Sequence, residues 1–178
     1  MHEPQPTATE ANKRLARSFF QLLHGGDVEG AVALLDPGGT IQQMMHRKFW
    51  PVVGWPAAPD PGPYPVVSME FFTTELRAIG EAYNCETFRF VVDEVIAEGD
   101  RVVLRVHNEG RYPDGDPYEM GYCFLFTIRD GKIVRVIEYA DTHYGFANRE
   151  AGTQNMAMVA EHPELAGKIR AAIAGERP

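Results

Sequence analysis

The sequence predicts one α+β domain, in which helices come first and an antiparallel sheet follows. Apolar residues recur at helical spacing in the first half of the chain, and the period switches to two after Tyr83. Short turn motifs such as Asp130-Gly131 then separate the predicted strands. A length of 178 residues fits a single domain with a sizeable core. Helices followed by a meander are typical of a sheet with one helix-covered face.

Composition and charge narrow the possible partners. The net charge of −8 argues against a nucleic-acid surface, because phosphate binding needs a basic face. No apolar run approaches the ~20 residues of a membrane span, and the first residues do not resemble a secretion signal. The two cysteines, Cys85 and Cys123, form no CxxC motif. We therefore expect a soluble, cytoplasmic protein with reduced thiols and no nucleic-acid or membrane partner.

Three helices are predicted from caps and apolar stripes. The first spans about Glu10–Leu23, where Thr7 and Glu10 have the spacing of a capping box. Asp27 caps a short second helix, which the motif Asp-Pro-Gly-Gly at 36–39 ends. Ser68 caps the third helix, whose apolar stripe ends at Tyr83.

Alternating apolar residues predict the strands. They cover about residues 40–46, 87–97, 101–111, 118–128 and 132–141. The loop Arg47–Pro65 has six prolines and both tryptophans, and long loops inside compact domains are often lids or binding loops. A tail from about Thr153 to Ala174 is predicted to be helical.

The Asp130-Gly131 turn predicts the register of the last hairpin. If Arg129 pairs with Lys132, then Cys123 faces Glu138 and Leu125 faces Val136. The face that carries Glu138 then has small side chains, which leave room for a ligand, and the other face is bulky. An acid in an apolar wall is a candidate general acid or base. Alternatively, this face is partly solvated and Glu138 is a surface charge.

The preceding turn decides which residues join Glu138. With a five-residue loop over Pro113–Pro117, His107 lies beside Cys123 and Arg105 beside Leu125, on the face of Glu138. With a two-residue turn, Arg105 and His107 point to the opposite face of the sheet from Glu138, and the three residues do not lie together. His107 titrates near neutral pH and could act as acid or base, and Arg105 could hold an oxyanion. Both could equally be structural.

Further residues are candidates for contact with a ligand. Tryptophans in the proline-rich loop could stack on an aromatic ligand or simply anchor the loop. Methionine and histidine at the end of the first strand could line an adaptable apolar wall, and a tyrosine could donate to an oxygen. These candidates are Trp50, Trp55, Met44, His46 and Tyr118, together with Cys123 and Leu125. The six histidines show no HxH or HExxH spacing, so we predict no metal.

Several segments resemble the SnoaL-like group, the superfamily of ketosteroid isomerase, limonene-epoxide hydrolase, scytalone dehydratase and nuclear transport factor two. The segments are Asp100–Arg105, Tyr122–Phe126, Asp130–Val134 and Glu138–Thr142, within a resemblance that covers about residues 11–144. The resemblance implies a cone in which three N-terminal helices and a curved mixed sheet enclose a deep pocket, usually in a homodimer. It also implies acid–base chemistry without metal or cofactor.

On this basis the whole chain, residues 1–178, is expected to be one SnoaL-like domain with a core of about 10–144 and a helical extension of about 150–175. Limonene-epoxide hydrolase has an Arg-x-Asp motif where this chain has Arg105-x-His107, with Glu138 at its second acidic position. Histidine in place of aspartate disfavours epoxide hydrolysis and suits proton shuttling. We therefore predict a lyase, isomerase or dehydratase that acts on a small hydrophobic, aromatic or polycyclic metabolite. The alternatives are a non-catalytic binding or interaction module and a structural dimerisation domain.

Overall fold

A computed structural model of the chain describes residues 7–48, 50, 62–82, 89–111, 117, 119–142 and 144. The elements in chain order are α1 (Ala8–His24), α2 (Val28–Val32), β1 (Leu35–Gln43), β2 (Val66–Ser68), α3 (Met69–Ala82), β3 (Arg89–Glu98), β4 (Arg101–Glu109), β5 (Gly121–Arg129) and β6 (Lys132–Ala140). The predicted C-terminal helix lies outside the described residues. The α+β fold class is confirmed, with N-terminal helices beside a curved, unclosed sheet of six strands.

Side chains cap the helices at the residues that the sequence indicated. Thr7 Oγ1 accepts from the backbone N–H of Glu10 at 3.3 Å, and Asp27 Oδ1 accepts from the N–H of Gly30 at 2.8 Å. Ser68 Oγ accepts from the N–H of Phe71 at 3.4 Å. Each cap satisfies an N–H that the first helical turn leaves without an intrahelical partner.

The strand order is β2-β1-β6-β5-β4-β3. The strands β1 and β6 are parallel, and all other neighbours are antiparallel, so the sheet is mixed. The prediction placed the first strand at residues 40–46, but β1 begins at Leu35 and includes the Asp-Pro-Gly-Gly motif. The short strand β2 was not predicted.

The helices cover one side of the sheet, which we call the inner face. The α1 residues Phe19 and Phe20 are 1% exposed. The ring of Phe19 lies 5.6 Å from that of Phe126, and the ring of Phe20 lies 5.0 Å from that of Phe124. Inner-face residues of the three central strands include Val102, Leu104, Val106, Tyr122, Phe124, Phe126, Val136 and Glu138. The bulky face is therefore the core face.

The register of the last hairpin differs from the prediction. Asp130 and Gly131 both have positive φ, 49° and 71°, and Arg129 pairs with Lys132 as predicted. The register then shifts by one residue, so that Phe124 rather than Cys123 faces Glu138. The predicted pairs Cys123–Glu138 and Leu125–Val136 are wrong, because a bulge adds one residue to β6.

The pairing of β4 with β5 differs from the prediction by two residues. Arg105 pairs with Cys123 and His107 pairs with Gly121. A shift of two leaves the alternation unchanged, so Arg105, His107, Cys123 and Leu125 do share a face. That face is the outer one, opposite the helices. Within the described residues, no helix is long and apolar enough to cross a membrane.

Candidate functional site

A buried pair of polar side chains lies on the inner face, where β1 and β6 end. Glu138 is 9% exposed and Gln43 is 8% exposed. Gln43 Nε2 donates a hydrogen bond to Glu138 Oε2 at 2.8 Å. A buried carboxylate loses its contacts with water, and a donated N–H bond compensates part of that loss. This pair is the candidate functional site.

The parallel pairing of the two strands places these residues side by side. Ile41 pairs with Val136 and Gln43 pairs with Glu138, so both residues of each pair point to the core face. The backbone N–H of Met44 donates to the Glu138 carbonyl at 2.8 Å, which continues the ladder beyond β1. Glu138 is buried, so the alternative of a surface charge is wrong, but its face is the bulky one rather than the predicted face of small side chains. The pocket expected there remains a prediction.

Aromatic and amide side chains lie on the same face at the same end of the sheet. The ring of Tyr122 stacks on that of Phe124 at 5.6 Å, and Phe124 faces Glu138 across the strand pair. Asn108 Nδ2 donates to Tyr122 Oη at 3.2 Å, and Asn108 is 1% exposed. This end of the inner face thus combines an apolar surface with a few buried polar groups, which is typical of small-molecule sites.

Arg105 and His107 are separated from Glu138 by the sheet. The Arg105 side chain is 65% exposed, and its guanidinium lies 3.4 Å from Asp93 and 3.8 Å from Glu94. His107 Nδ1 lies 3.1 Å from an Asp93 carboxylate oxygen, and its Nε2 lies 3.5 Å from Glu109 Oε1. The predicted group of Arg105, His107 and Glu138 on one wall is wrong, because the bulge in β6 turns Glu138 to the other face.

The carboxylates around His107 explain its titration. The hydrogen bond to Asp93 raises the pKa of His107 above its usual value, and Glu109 adds to this effect while partial burial opposes it. The histidine is therefore held by acids on the outer surface of the sheet. Its surroundings are those of a surface ion-pair cluster rather than of a group that faces the core.

Cys123 and Leu125 also lie on the outer face, so the prediction that placed them beside Glu138 is wrong. Both are half-buried. Partial burial raises the pKa of the Cys123 thiol, and a thiol so shifted is a weaker nucleophile at neutral pH. These two residues form part of the surface that the helices leave uncovered.

Two of the residues predicted to contact a ligand, Trp50 and His46, contact other parts of the protein. Trp50 is 1% exposed, its Nε1 donates to the Met45 carbonyl at 3.2 Å, and its ring stacks on Phe71 of α3 at 6.5 Å. Trp50 thus anchors the start of the loop. The half-buried His46 contacts the ring of Tyr64 edge-on at 6.0 Å.

Three other ligand contacts stay predictions. Met44 is half-buried next to the main chain of Glu138, and its contact with a ligand stays a prediction. Trp55 and Tyr118 lie outside the described residues. In the described part of the chain, no group of three histidine, cysteine or acidic side chains could hold a metal ion.

The sequence reasoning missed Gln43 and Asn108. Gln43 follows Ile41 by two residues in a strand, so alternation places a glutamine among core positions. Asn108 likewise follows Leu104 and Val106 at alternate positions of β4. For both, the available signal was a polar residue at a strand position where the alternation predicts a buried apolar one.

Comparison with known families agrees with this architecture. The sequence model of the SnoaL-like domain family matches residues 16–136. No curated protein matches the chain at a significant level.

Solved structures with the same fold are distant in sequence. A loop-truncation variant of IdmH has 20% identity and a TM-score of 0.59, over 76% of this chain and 97% of that one. AusH from Aspergillus nidulans has 18% identity and a TM-score of 0.60, over 77% and 88% of the two chains. TerC, co-crystallised with polyporic acid, has 18% identity and a TM-score of 0.59, over 77% and 96%. These similarities show the fold alone.

Proposed function

Because this chain belongs to the SnoaL-like domain family, we propose that it is a cofactor-independent acid–base enzyme, a lyase or isomerase. Its substrate is a small hydrophobic molecule, aromatic or polycyclic, bound between the helices and the inner face of the sheet. One observation carries the proposal. Glu138, a buried carboxylic acid, lies on a face that is otherwise mainly apolar and accepts a hydrogen bond from Gln43.

The chemistry assigned to Glu138 is proton transfer. The carboxylate removes a proton from an acidic carbon or hydroxyl of the substrate, and the resulting acid returns the proton at a second position or to a leaving group. Gln43 is a positioning residue, since its amide does not titrate and its N–H holds Oε2 of the acid. His107 and Arg105 have no part in this step, because their side chains lie on the outer face.

The substrate class is supported by the surroundings of the acid. Phe124 and Tyr122 provide aromatic surface beside Glu138, and aromatic ligands gain from stacking on such rings. The family is one whose members process and bind small molecules, and the structural neighbour TerC was crystallised with polyporic acid.

The test begins with a search for ligands. Aromatic and polyketide-like metabolites, with polyporic acid among them, are screened for an increase in the melting temperature of the protein. The compounds that bind are then incubated with the protein in D2O, and exchange of their acidic C–H positions is followed by NMR. The wild-type protein should catalyse exchange. The Glu138→Gln variant should bind the same compounds and lose about 100-fold or more of the exchange rate.

Glu94→Gln is the matched control, because it makes the same change on the outer face of the sheet. It should exchange at the wild-type rate. Equal rates for the wild-type protein and Glu138→Gln would contradict the proposed enzyme and leave a binding module. If no compound raises the melting temperature, the proposed substrate class is wrong.

A second part of the proposal concerns the outer face, which we expect a second copy of this chain to cover. A row of apolar side chains crosses four strands there: Ile96, Val103, Leu125 and Ile137. Ile96 is 59% exposed, and the nearby Tyr139 is 47% exposed. The other three residues of the row are half-buried, and contiguous apolar surface that remains partly exposed is common at protein–protein contacts.

Light scattering coupled to gel filtration tests the homodimer. The wild-type protein should have twice the 19.9 kDa mass of the chain. Ile96→Glu should shift the mass toward that of the monomer, since it places a charge on the apolar row, whereas Arg14→Glu on the exposed side of α1 should not. A monomeric wild-type protein would contradict this part of the proposal without affecting the assignment of Glu138.

A further inference from the structure

Among the residues that the structure describes, the amide oxygen of Asn108 is buried and finds no hydrogen-bond donor. Asn108 ends the inner-face alternation of β4, and its side chain is 1% exposed. Its Nδ2 donates to Tyr122 Oη at 3.2 Å, but its Oδ1 has no hydrogen-bond partner within the described part of the chain. Buried polar atoms are nearly always hydrogen-bonded in folded proteins. An unpaired oxygen here therefore requires an explanation.

Core packing does not supply that explanation. The preceding inner-face positions of β4 hold Val102, Leu104 and Val106, and Phe90 lies opposite Asn108 on β3. A leucine has nearly the shape of an asparagine and would continue this apolar surface without an unpaired oxygen. Residues that depart from the sequence pattern of their element, such as a polar residue at a core position, occur most often at functional sites.

The position of Asn108 relative to Glu138 fits a shared ligand. Leu104, Phe124 and Glu138 form one row across β4, β5 and β6, and Asn108 lies four residues further along β4. Standard strand geometry separates the two residues by about 10 Å across the strands and about 13 Å along them. A molecule of two or three fused rings spans such a gap once both side chains extend toward it.

We propose that Asn108 Oδ1 accepts a hydrogen bond from a hydroxyl group of the ligand, at the end of the ligand remote from Glu138. This inference deepens the proposed function and rests on its binding of a hydrophobic molecule at the inner face. A carbonyl oxygen accepts and cannot donate, so the preferred group is a neutral phenolic or enolic hydroxyl, and ethers and anions are rejected. Asn108 is a specificity-determining residue, because it selects the ligand without taking part in proton transfer.

The probes are 2-naphthol and 2-methoxynaphthalene, which share a ring system and differ in the hydroxyl donor. Their dissociation constants are measured at neutral pH from the fluorescence of the naphthalene ring. The wild-type protein should bind 2-naphthol about tenfold or more tightly than the ether, because the ether leaves the buried oxygen unpaired. In Asn108→Leu this preference should disappear, chiefly through weaker binding of 2-naphthol.

Gln42→Leu is the matched control, since Gln42 is an amide next to the site in sequence but on the outer face. It should keep the preference of the wild-type protein. If Asn108→Leu fails to fold, the double variant Asn108→Leu/Tyr122→Phe removes both partners of the hydrogen bond and leaves neither unpaired. It should likewise bind the two probes equally.

Three results would overturn the inference. Equal binding of both probes by the wild-type protein would mean that Asn108 Oδ1 accepts a hydrogen bond from water and not from the ligand. The proposed function would then stand. A preference that survives in Asn108→Leu would assign the hydroxyl to another residue. Binding of neither probe would remove the inference together with the proposed binding of small aromatic molecules.

Discussion

Gln43 and Glu138 are joined side chain to side chain across the one parallel strand pair described in this sheet, with 2.8 Å between Nε2 and Oε2. The two residues also pair in the backbone register, so both strands fix the geometry of the hydrogen bond. Burial separates the acid from water, and the donated N–H compensates part of that loss. Gln43 therefore holds Oε2 of the acid in place.

Gln43→Leu should slow exchange while leaving ligand binding in place. Without the amide donor, Oε2 of Glu138 loses the hydrogen bond that holds it, so the exchange rate should fall by about tenfold. Exchange rates in D2O and the shift of the melting temperature with the same ligand report catalysis and binding separately. Gln42→Leu should keep the wild-type rate. A Gln43→Leu rate identical to wild type would mean that the amide does not position the acid.

Gly39→Ala should destabilise the protein. A Cβ at residue 39 would lie 2.6 Å from the Val134 carbonyl oxygen and 2.9 Å from the methyl group of Met69, and the first of these is backbone that cannot rotate away. We expect a loss of about 1–3 kcal/mol in the free energy of unfolding, measured by urea denaturation. Gly38→Ala is the control, since its Cβ would approach only the side chain of Asp36, at 3.3 Å. Equal stability of the two variants would contradict the close approach of β1 to the bulge.

Phe126→Ala should be among the most damaging core substitutions. Phe126 is fully buried, and its ring contacts those of Phe19 and Phe20 from α1. Removal of a buried aromatic ring costs about 3–5 kcal/mol, as lost burial and a cavity add together. Phe126→Leu should lose clearly less. Urea denaturation of both variants tests the packing of α1 on the sheet, and a loss below about 1 kcal/mol for Phe126→Ala would contradict it.

His107→Gln should reduce stability more at low pH than at high pH. Asp93 raises the pKa of His107 in the folded state above the unfolded-state pKa of about 6.5. The charged imidazole therefore stabilises the folded state fully at pH values below the unfolded-state pKa. This contribution is lost as the pH rises through the higher pKa of the folded state. The His107 side chain is 38% exposed, so the effect should stay below about 1 kcal/mol.

Urea denaturation at pH 5.5 and pH 8.5 measures the difference between the wild-type protein and His107→Gln. In an Asp93→Asn background most of the pH dependence should disappear, because the main charged partner is gone. A destabilisation that is larger at pH 8.5 would reverse the expected sign and contradict the assignment of the ion pair.

Most helices and strands, although not β2 or the start of β1, were predictable because local chemistry determines them. The caps Thr7 and Asp27 lie where the sequence indicated, and the Asp130-Gly131 turn has the positive φ values that its residues favour. The face of the sheet to which each side chain of β6 points was not predictable in the same way. The extra residue of β6 is Val134, whose carbonyl oxygen lies close to Gly39 of β1, and this contact joins segments remote in sequence.

The candidate site was predictable only in part for the same reason. Alternation grouped Glu138 with Cys123 and Leu125, which lie on the outer face, whereas the bulge turns Glu138 to the inner face beside Phe124 and Gln43. Gln43 comes from the strand that pairs in parallel with β6, and parallel pairing leaves no short turn from which a register could be counted. No local pattern links a glutamine at 43 to an acid at 138.

The separation of 95 residues between Gln43 and Glu138 has a consequence for folding. Hairpins such as β5–β6 close a short loop, whereas the β1–β6 ladder must bring together segments from early and late in the domain, so it is expected to be among the slower contacts to form. The amide and the acid can meet only when this ladder is complete. Any activity that depends on their contact would therefore appear with the last stage of refolding, after the helices and the antiparallel hairpins have already given their spectroscopic signals.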